Sequence, residues 1–109
     1  MMKIVVEAKR EFDAVVCYND QIAILVIQAL REQGVRIPED VSVTGYDNSA
    51  MAGSGEIGLT TIAHPQEKLG EMAAELILEK IRKVPEEDSR VGRLIQPELI
   101  ARESVAVRN

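Results

Sequence analysis

Two stretches of the chain share one order of apolar and polar residues. The first, residues 15–25, is an apolar run interrupted by the pair Asn19-Asp20. The second, residues 41–48, is rich in β-branched residues and ends in the pair Asp47-Asn48. Each order is typical of a buried strand with polar side chains at its carboxyl end. Because ligands of open α/β sheets bind outside the carboxyl ends of the strands, the two pairs predict a small-molecule site.

A parallel β-α-β unit is predicted around these pairs. The apolar run 14–17 lacks alternation, which is typical of a central parallel strand covered on both faces. A helix over 21–33 then connects it to a second strand over 41–46, and such connections join parallel strands. Asn19 or Asp20 is expected to cap this helix. Gly34 is expected to end it in a left-handed conformation.

The order of apolar and polar residues also predicts the remaining elements of the chain. Residues 49–58 predict a surface loop with one helical turn, and residues 59–63 predict a strand. Apolar residues at steps of three and four predict a helix over 65–83, with Pro65 at its first position. Residues 93–95 and 98–107 predict strands interrupted by Pro97. Residues 3–12 fit a helix, with a strand over 4–6 as the alternative.

The helix over 21–33 is apolar on every side in its first half. A helix of this kind must be buried on every side, whereas a helix outside a single sheet needs one apolar stripe. We expect a second subunit to cover it in a two-fold dimer, with close packing by the domain's own neighbours as the alternative. The predicted interface residues are Ile22, Ile24, Leu25, Val26 and Ile27.

Composition excludes several classes of function. With 109 residues the chain is one domain at most. Its net charge of −5 argues against a nucleic-acid surface, which requires clustered cations. The single cysteine, Cys17, excludes an internal disulfide and suits a reducing compartment. We find no apolar run of membrane-spanning length and no signal-peptide pattern, so a cytoplasmic location is expected.

The polar pairs fit sugar recognition better than catalysis. An amide and a carboxylate together can bracket the hydroxyls of a sugar, which favours ligand contact by Asn19 and Asp47. Asp20 and Asn48 are expected to have local capping and turn roles. His64 is the single histidine and has no metal set or nucleophile elbow beside it in the sequence. We therefore expect His64 to contact a ligand or to cap the helix that follows it. We expect no enzyme activity, cofactor or metal.

The middle of the chain contains a glycine pattern that is also found in phosphate-binding loops. Residues 53–58 spell G-x-G-x-x-G, but they precede a predicted strand. The dinucleotide fingerprint requires the glycines to follow a strand and to open a helix. Glu56 would also place a negative charge beside the phosphates, so we expect no nucleotide there.

Four segments in order resemble the effector-binding domain of the lactose/galactose repressor family: DAVVCYNDQIA, GVRIPEDVSVTGYD, LTTI and PELIARES. The resemblance implies an α/β fold, namely a Rossmann-like parallel sheet with flanking helices that is part of a type I periplasmic-binding-protein-like sugar sensor. It places residues 13–63 and 94–109 in one lobe and residues 64–93 in the other. Asn19 and Asp47 then match residues that hydrogen-bond the effector, and His64 matches a crossover position beside it.

The resemblance also implies which molecules the protein binds. The segments around Tyr18 and His64-Pro65 are most like arabinose-responsive members, so the expected effector is arabinose or a related sugar. Complete sensors are much longer, so we expect a C-terminal portion of an effector domain, with DNA bound only through an absent N-terminal head. The expected function is sugar binding and dimerisation in a bacterial repressor. A transporter's sugar-binding protein with the same fold is the alternative.

Overall fold

The computed structural model describes residues 12–82 and 93–107. The expected helix or strand within residues 3–12 therefore lies outside the described residues, apart from Phe12 in irregular backbone. The elements, in chain order, are β1 (Ala14–Val16), α1 (Asp20–Glu32), β2 (Ser42–Thr44), α2 (Ala50–Ser54), β3 (Thr61–Ala63), α3 (Gln66–Ile81) and β4 (Glu98–Ile100).

The predicted β-α-β unit is confirmed. Strand β1 pairs in parallel with β2, and Val15 lies opposite Val43. Helix α1 connects the two strands and is followed by Gly34 at φ 80°, the expected left-handed stop. Apolar side chains from α1, β2 and the segments beside them form the buried core. The core residues are Cys17, Ala23, Ile27, Leu30, Val35, Ile37, Val41, Val43, Ala52 and Leu59.

The described strands form two two-stranded sheets, β1–β2 and β3–β4, which are joined by one bridge. Thr44 forms a parallel bridge with Thr60, and the amide of Gly45 donates to the Thr60 carbonyl at 2.9 Å. Strand β3 pairs antiparallel with β4, with Ala63 opposite Glu98. The carboxyl ends of β1 and β2 consequently lie at one edge, beside the start of β3.

After β4 the chain is held by backbone and side-chain bonds of Ser104, whose carbonyl accepts from the Val43 amide at 2.9 Å and whose amide donates to the Gly58 carbonyl at 3.0 Å. The buried Ser104 hydroxyl donates to the Val43 carbonyl at 2.5 Å and accepts from the Thr60 amide at 2.8 Å. The predicted strand over 98–107 is therefore limited to Glu98–Ile100. The strand predicted over 93–95 is wrong, because those residues have irregular backbone.

Strand β1 is less enclosed than its sequence predicts. Coverage on both faces was expected from the apolar run, but Ala14 is exposed and Val16 is 84% exposed. The partly buried Val15 packs against the core. Within the described residues, β1 thus has one covered face and one open face, and the expectation of a doubly covered strand is wrong.

The chain divides into two units. The described residues 12–63 and 98–107 form the first, and residues 64–82 and 93–97 form the second. Residues 94–97, expected with the first lobe, thus fall in the second unit. There, α3 has no buried residue, and Arg93 pairs with Glu75 and Glu79 at 3.1 Å each. Pro65 precedes α3 as its N-cap and is not its first helical residue.

Close packing at the end of β2 gives a test of this fold. A Cβ at Gly45 would lie 2.9 Å from Leu59 Cδ2 and closer still to the Asp20 carboxylate. We expect Gly45→Ala to lower the free energy of unfolding by about 1–3 kcal/mol, because overpacking displaces buried neighbours. Denaturant unfolding measures this loss.

The matched control is Gly53→Ala in the same unit, where the nearest atom would be Arg102 Nη2 at 3.7 Å. This variant should be as stable as the wild type. Equal stability of the Gly45→Ala variant and the wild type would contradict the described packing.

Candidate functional site

An open pocket of about 520 Å³ lies at the carboxyl ends of β1 and β2. The residues that line it come from the start of α1 and from the segment between β2 and the end of α2: Asn19, Asp20, Gln21, Asp47, Ser49, Ala50, Met51 and Ser54. All of them belong to the first unit. The structure thus brings Asn19 and Asp47 to one pocket, from neighbouring parallel strands.

Asn19 combines a structural role with a position at the pocket. Its backbone is extended, and its Oδ1 accepts from the Ile22 amide at 2.8 Å, which makes it the N-cap of α1. Of the two expected candidates for the cap, the structure therefore selects Asn19. Because the cap uses the side-chain oxygen, the NH₂ group of the same amide remains suitable for donation to a ligand oxygen.

Asp47 occupies an unusual backbone conformation. Its φ is 112° and that of Asn48 is 52°, both in the region that favours glycine. The Asp47 amide donates to the Ile62 carbonyl at 2.9 Å. Asn48 Oδ1 accepts at 2.8 Å from Nη2 of Arg102, a residue 54 positions further along the chain, so this side-chain bond is not the local turn contact expected of Asn48. Strained backbone of this kind is common at ligand sites, where surrounding bonds hold it in place.

Asp20 is the residue whose role the sequence did not indicate. It was expected to cap α1 or to serve locally, but the residue lies in the wall of the pocket and is only 1% exposed. The carboxylate accepts from the Ser49 amide at 2.6 Å and from the Thr61 hydroxyl at 2.5 Å. An aspartate in the first turn of a helix is common, so its position alone carried no signal for burial.

The pocket combines polar and acidic side chains with apolar surface that includes Ala50 and Met51. Among the described residues that line it, amide, hydroxyl and carboxylate groups occur and no basic side chain does.

Cys17, which precedes this segment in the chain, is buried, and desolvation raises the pKa of its thiol. The thiol is therefore protonated at neutral pH. In the described part of the chain, no cluster of three His, Cys, Asp or Glu side chains could hold a metal ion.

His64 is the first residue of the second unit and is partly buried. Its expected contact with a ligand stays a prediction.

Of the described helices, none is long and apolar enough to cross a membrane.

The residues predicted for a dimer interface differ in exposure. Leu25 is 58% exposed and Ile22 is 42% exposed, whereas Ile24 and Val26 are partly buried. Ile27 is 5% exposed and belongs to the chain's own core. Its assignment to the interface is wrong, because the side of α1 that carries Ile27 packs on the sheet.

Comparisons with known proteins identify the family. The model of the periplasmic binding protein-like domain matches residues 1–105. This chain belongs to that family. The match confirms the expected fold class, and the periplasmic-binding-protein-like chain is also similar to solved regulators. One is a LacI family transcriptional regulator from Enterococcus faecalis with bound ribose, at 39% identity and a TM-score of 0.81 over 96% of this chain and 39% of that one.

Two of the similar proteins are named as transcriptional repressors. The arabinose metabolism transcriptional repressor of Geobacillus stearothermophilus is 41% identical over 92 residues, which are 84% of this chain and 25% of that protein. The HTH-type transcriptional repressor PurR of Vibrio vulnificus is 45% identical over 92 residues, which are 84% of this chain and 27% of that protein. The chain thus spans about a quarter of these relatives.

The cap formed by Asn19 gives a prediction for stability. Asn19→Ala removes the acceptor for the Ile22 amide and should lower the free energy of unfolding by about 1 kcal/mol. Asn19→Asp retains an oxygen for the same amide and should be nearly as stable as the wild type. Denaturant unfolding of both variants checks this, and equal losses in the two would show that the side chain does not cap α1.

Proposed function

We propose that this chain is the sugar-binding and dimerising part of a bacterial transcriptional repressor. The observation that carries the proposal is the placement of Asn19 and Asp47, which follow neighbouring parallel strands and line one open pocket. In α/β sheets this edge is where ligands bind. The repressor relatives are 41% and 45% identical to this chain over 84% of its length.

An uncharged sugar suits this pocket best. The Asn19 NH₂ group can donate to a sugar oxygen, and the Asp47 carboxylate can accept from two hydroxyls. A phosphorylated or acidic ligand would meet Asp47 without a lining cation to offset the repulsion. One relative is named for arabinose metabolism and a similar solved regulator holds ribose. We therefore infer arabinose or a related sugar as the effector, with His64 as a further contact.

The two units suggest how binding would be transmitted. We assign residues 12–63 and 98–107 to one lobe of the sensor and the second unit to the other. The chain passes between the two units twice, after Ala63 and before Glu98. These two residues lie opposite each other in the β3–β4 pair. Paired connections of this kind suit a hinge. A sugar that prefers one arrangement of the lobes shifts the population toward it, and this shift changes DNA binding by a head outside these residues.

Dimerisation is assigned to the exposed side of α1. Leu25 and Ile22 present apolar surface there, with Ile24 and Val26 at its margins. Exposed apolar surface of this kind marks interaction sites in soluble proteins. A second copy with the same surface would cover it in a two-fold arrangement.

Substitutions at the pocket test the sugar proposal. In the full-length protein, Asn19→Asp and Asp47→Ala should each weaken binding of L-arabinose or D-ribose by about 1–3 kcal/mol, because a hydrogen-bonded sugar oxygen loses its partner. Asn19→Asp keeps the helix cap, so its effect is on the ligand. Isothermal titration calorimetry measures the affinities.

Glu56→Gln is the matched control for a changed carboxylate. Its ion pair with Arg31 at 3.2 Å is largely exposed, and Glu56 does not line the pocket. Sugar affinity of this variant should equal that of the wild type. If Asn19→Asp and Asp47→Ala also bind as the wild type does, the pocket is not the effector site.

The proposed dimer surface has its own test. Leu25→Glu places a charge in the middle of the apolar side of α1 and should convert the dimer to a monomer in sedimentation equilibrium, because burying an unpaired charge is costly. Leu99→Glu makes the same change at a 64% exposed leucine outside this surface and should leave the dimer intact. A dimer that persists in the Leu25→Glu variant would place the interface elsewhere.

A further inference from the structure

Asp20 is an enclosed acidic residue in the wall of the pocket. It is 1% exposed, and each of its carboxylate oxygens accepts one hydrogen bond. Oδ2 accepts from the Ser49 amide at 2.6 Å, and Oδ1 accepts from the Thr61 hydroxyl at 2.5 Å. Burial of a carboxylate is costly unless such bonds offset it.

The bonds of Asp20 flank Asp47 along the chain. The Asp20 amide donates to the Tyr46 carbonyl at 3.0 Å, one residue before Asp47, and the carboxylate holds Ser49, two residues after it. Between these bonds the backbone has positive φ at Asp47 and Asn48. A conformation of this kind persists only where neighbours hold it. Asp20 supplies bonds on both sides of the strained pair.

A second connection passes through Thr61. This residue is 1% exposed, and its hydroxyl oxygen accepts from the Asn48 amide at 3.3 Å while the hydroxyl donates to Asp20. The carboxylate therefore also supports the amide that follows Asp47. Gly45 lies against the same carboxylate with no room for a Cβ. Asp20 is thus packed and bonded on the sides that face the Asp47 segment.

We propose that Asp20 is the positioning residue of the effector site, which holds Asp47 in the orientation that binds the sugar without contacting the sugar itself. This inference rests on the proposed function of the pocket. It differs from a purely structural role because it requires the effect of Asp20 on affinity to act through Asp47.

A double-mutant cycle in the full-length protein tests the proposal. Asp20→Asn keeps the shape of the side chain and leaves one oxygen to accept from the Ser49 amide, but it removes the negative charge and puts an NH₂ donor against the Thr61 hydroxyl, which reverses that bond. Sugar affinity should fall about tenfold, measured with whichever of L-arabinose and D-ribose the wild type binds more tightly. In an Asp47→Ala background the same change should alter affinity less than twofold, because the positioned group is absent.

Asp40→Asn is the matched control. Asp40 is also a partly enclosed carboxylate that accepts from the Arg36 amide at 2.8 Å, but it does not line the pocket. This variant should lower the melting temperature and leave sugar affinity unchanged. If Asp20→Asn does not fold, Thr61→Val removes one donor to the carboxylate, and the same cycle with Asp47→Ala is measured with that variant.

Three outcomes overturn the proposal. The first is an Asp20→Asn protein that is less stable but binds within twofold of the wild type. The second is an equal loss of affinity with and without Asp47, which indicates a general effect on the fold. The third is a wild type that binds neither sugar, or an Asp47→Ala variant that binds normally; this outcome removes the proposed function as well. Weak binding by Asp47→Ala with normal binding by Asp20→Asn removes the positioning role alone.

Discussion

The parallel pairing of β1 with β2 is the constraint on which the candidate site depends. Because the two strands run in the same direction and lie side by side, the residues that follow them meet at one edge of the sheet. Asn19 and Asp47 line the same pocket for this reason. An antiparallel pair would place the two residues at opposite ends of the strands. The chemistry of the pocket is therefore a consequence of topology.

Hydrogen bonds from side chains add to the few backbone bonds that join the short strands. Each strand has three residues, so the sheet ladder supplies few backbone bonds. The Ser104 hydroxyl joins Val43 to Thr60, and Arg102 donates to the Leu59 carbonyl at 2.9 Å. Each such bond contributes about 1 kcal/mol, but an unpaired partner left in the interior costs more. These residues therefore specify how the segment after β4 closes on the sheet.

The sequence predicted the elements that depend on local patterns. The apolar run after Asn19-Asp20 indicated α1, apolar periodicity indicated α3, and Gly34 correctly indicated where α1 ends. The pairs after β1 and β2 predicted residues that the fold brings to one pocket. Local patterns were sufficient here because a parallel β-α-β unit has one common arrangement.

Features set by tertiary contacts could not be predicted in the same way. The apolar run of β1 indicated burial on both faces, but exposure depends on which neighbours cover a strand. Ile27 and Leu25 were grouped together, although α1 turns one toward the core and the other outward. The role of Asp20 depends on Thr61, which is 41 residues away in the chain. No local pattern reports a bond over that separation.

A crystal structure of the full-length protein with its sugar effector tests the central claim most directly. We expect the Asn19 NH₂ group and the Asp47 carboxylate to lie within about 2.6–3.2 Å of sugar oxygens. Asn19 Oδ1 should still accept from the Ile22 amide in that complex. A sugar bound elsewhere, with both side chains directed away from it, would contradict the assignment of this pocket as the effector site.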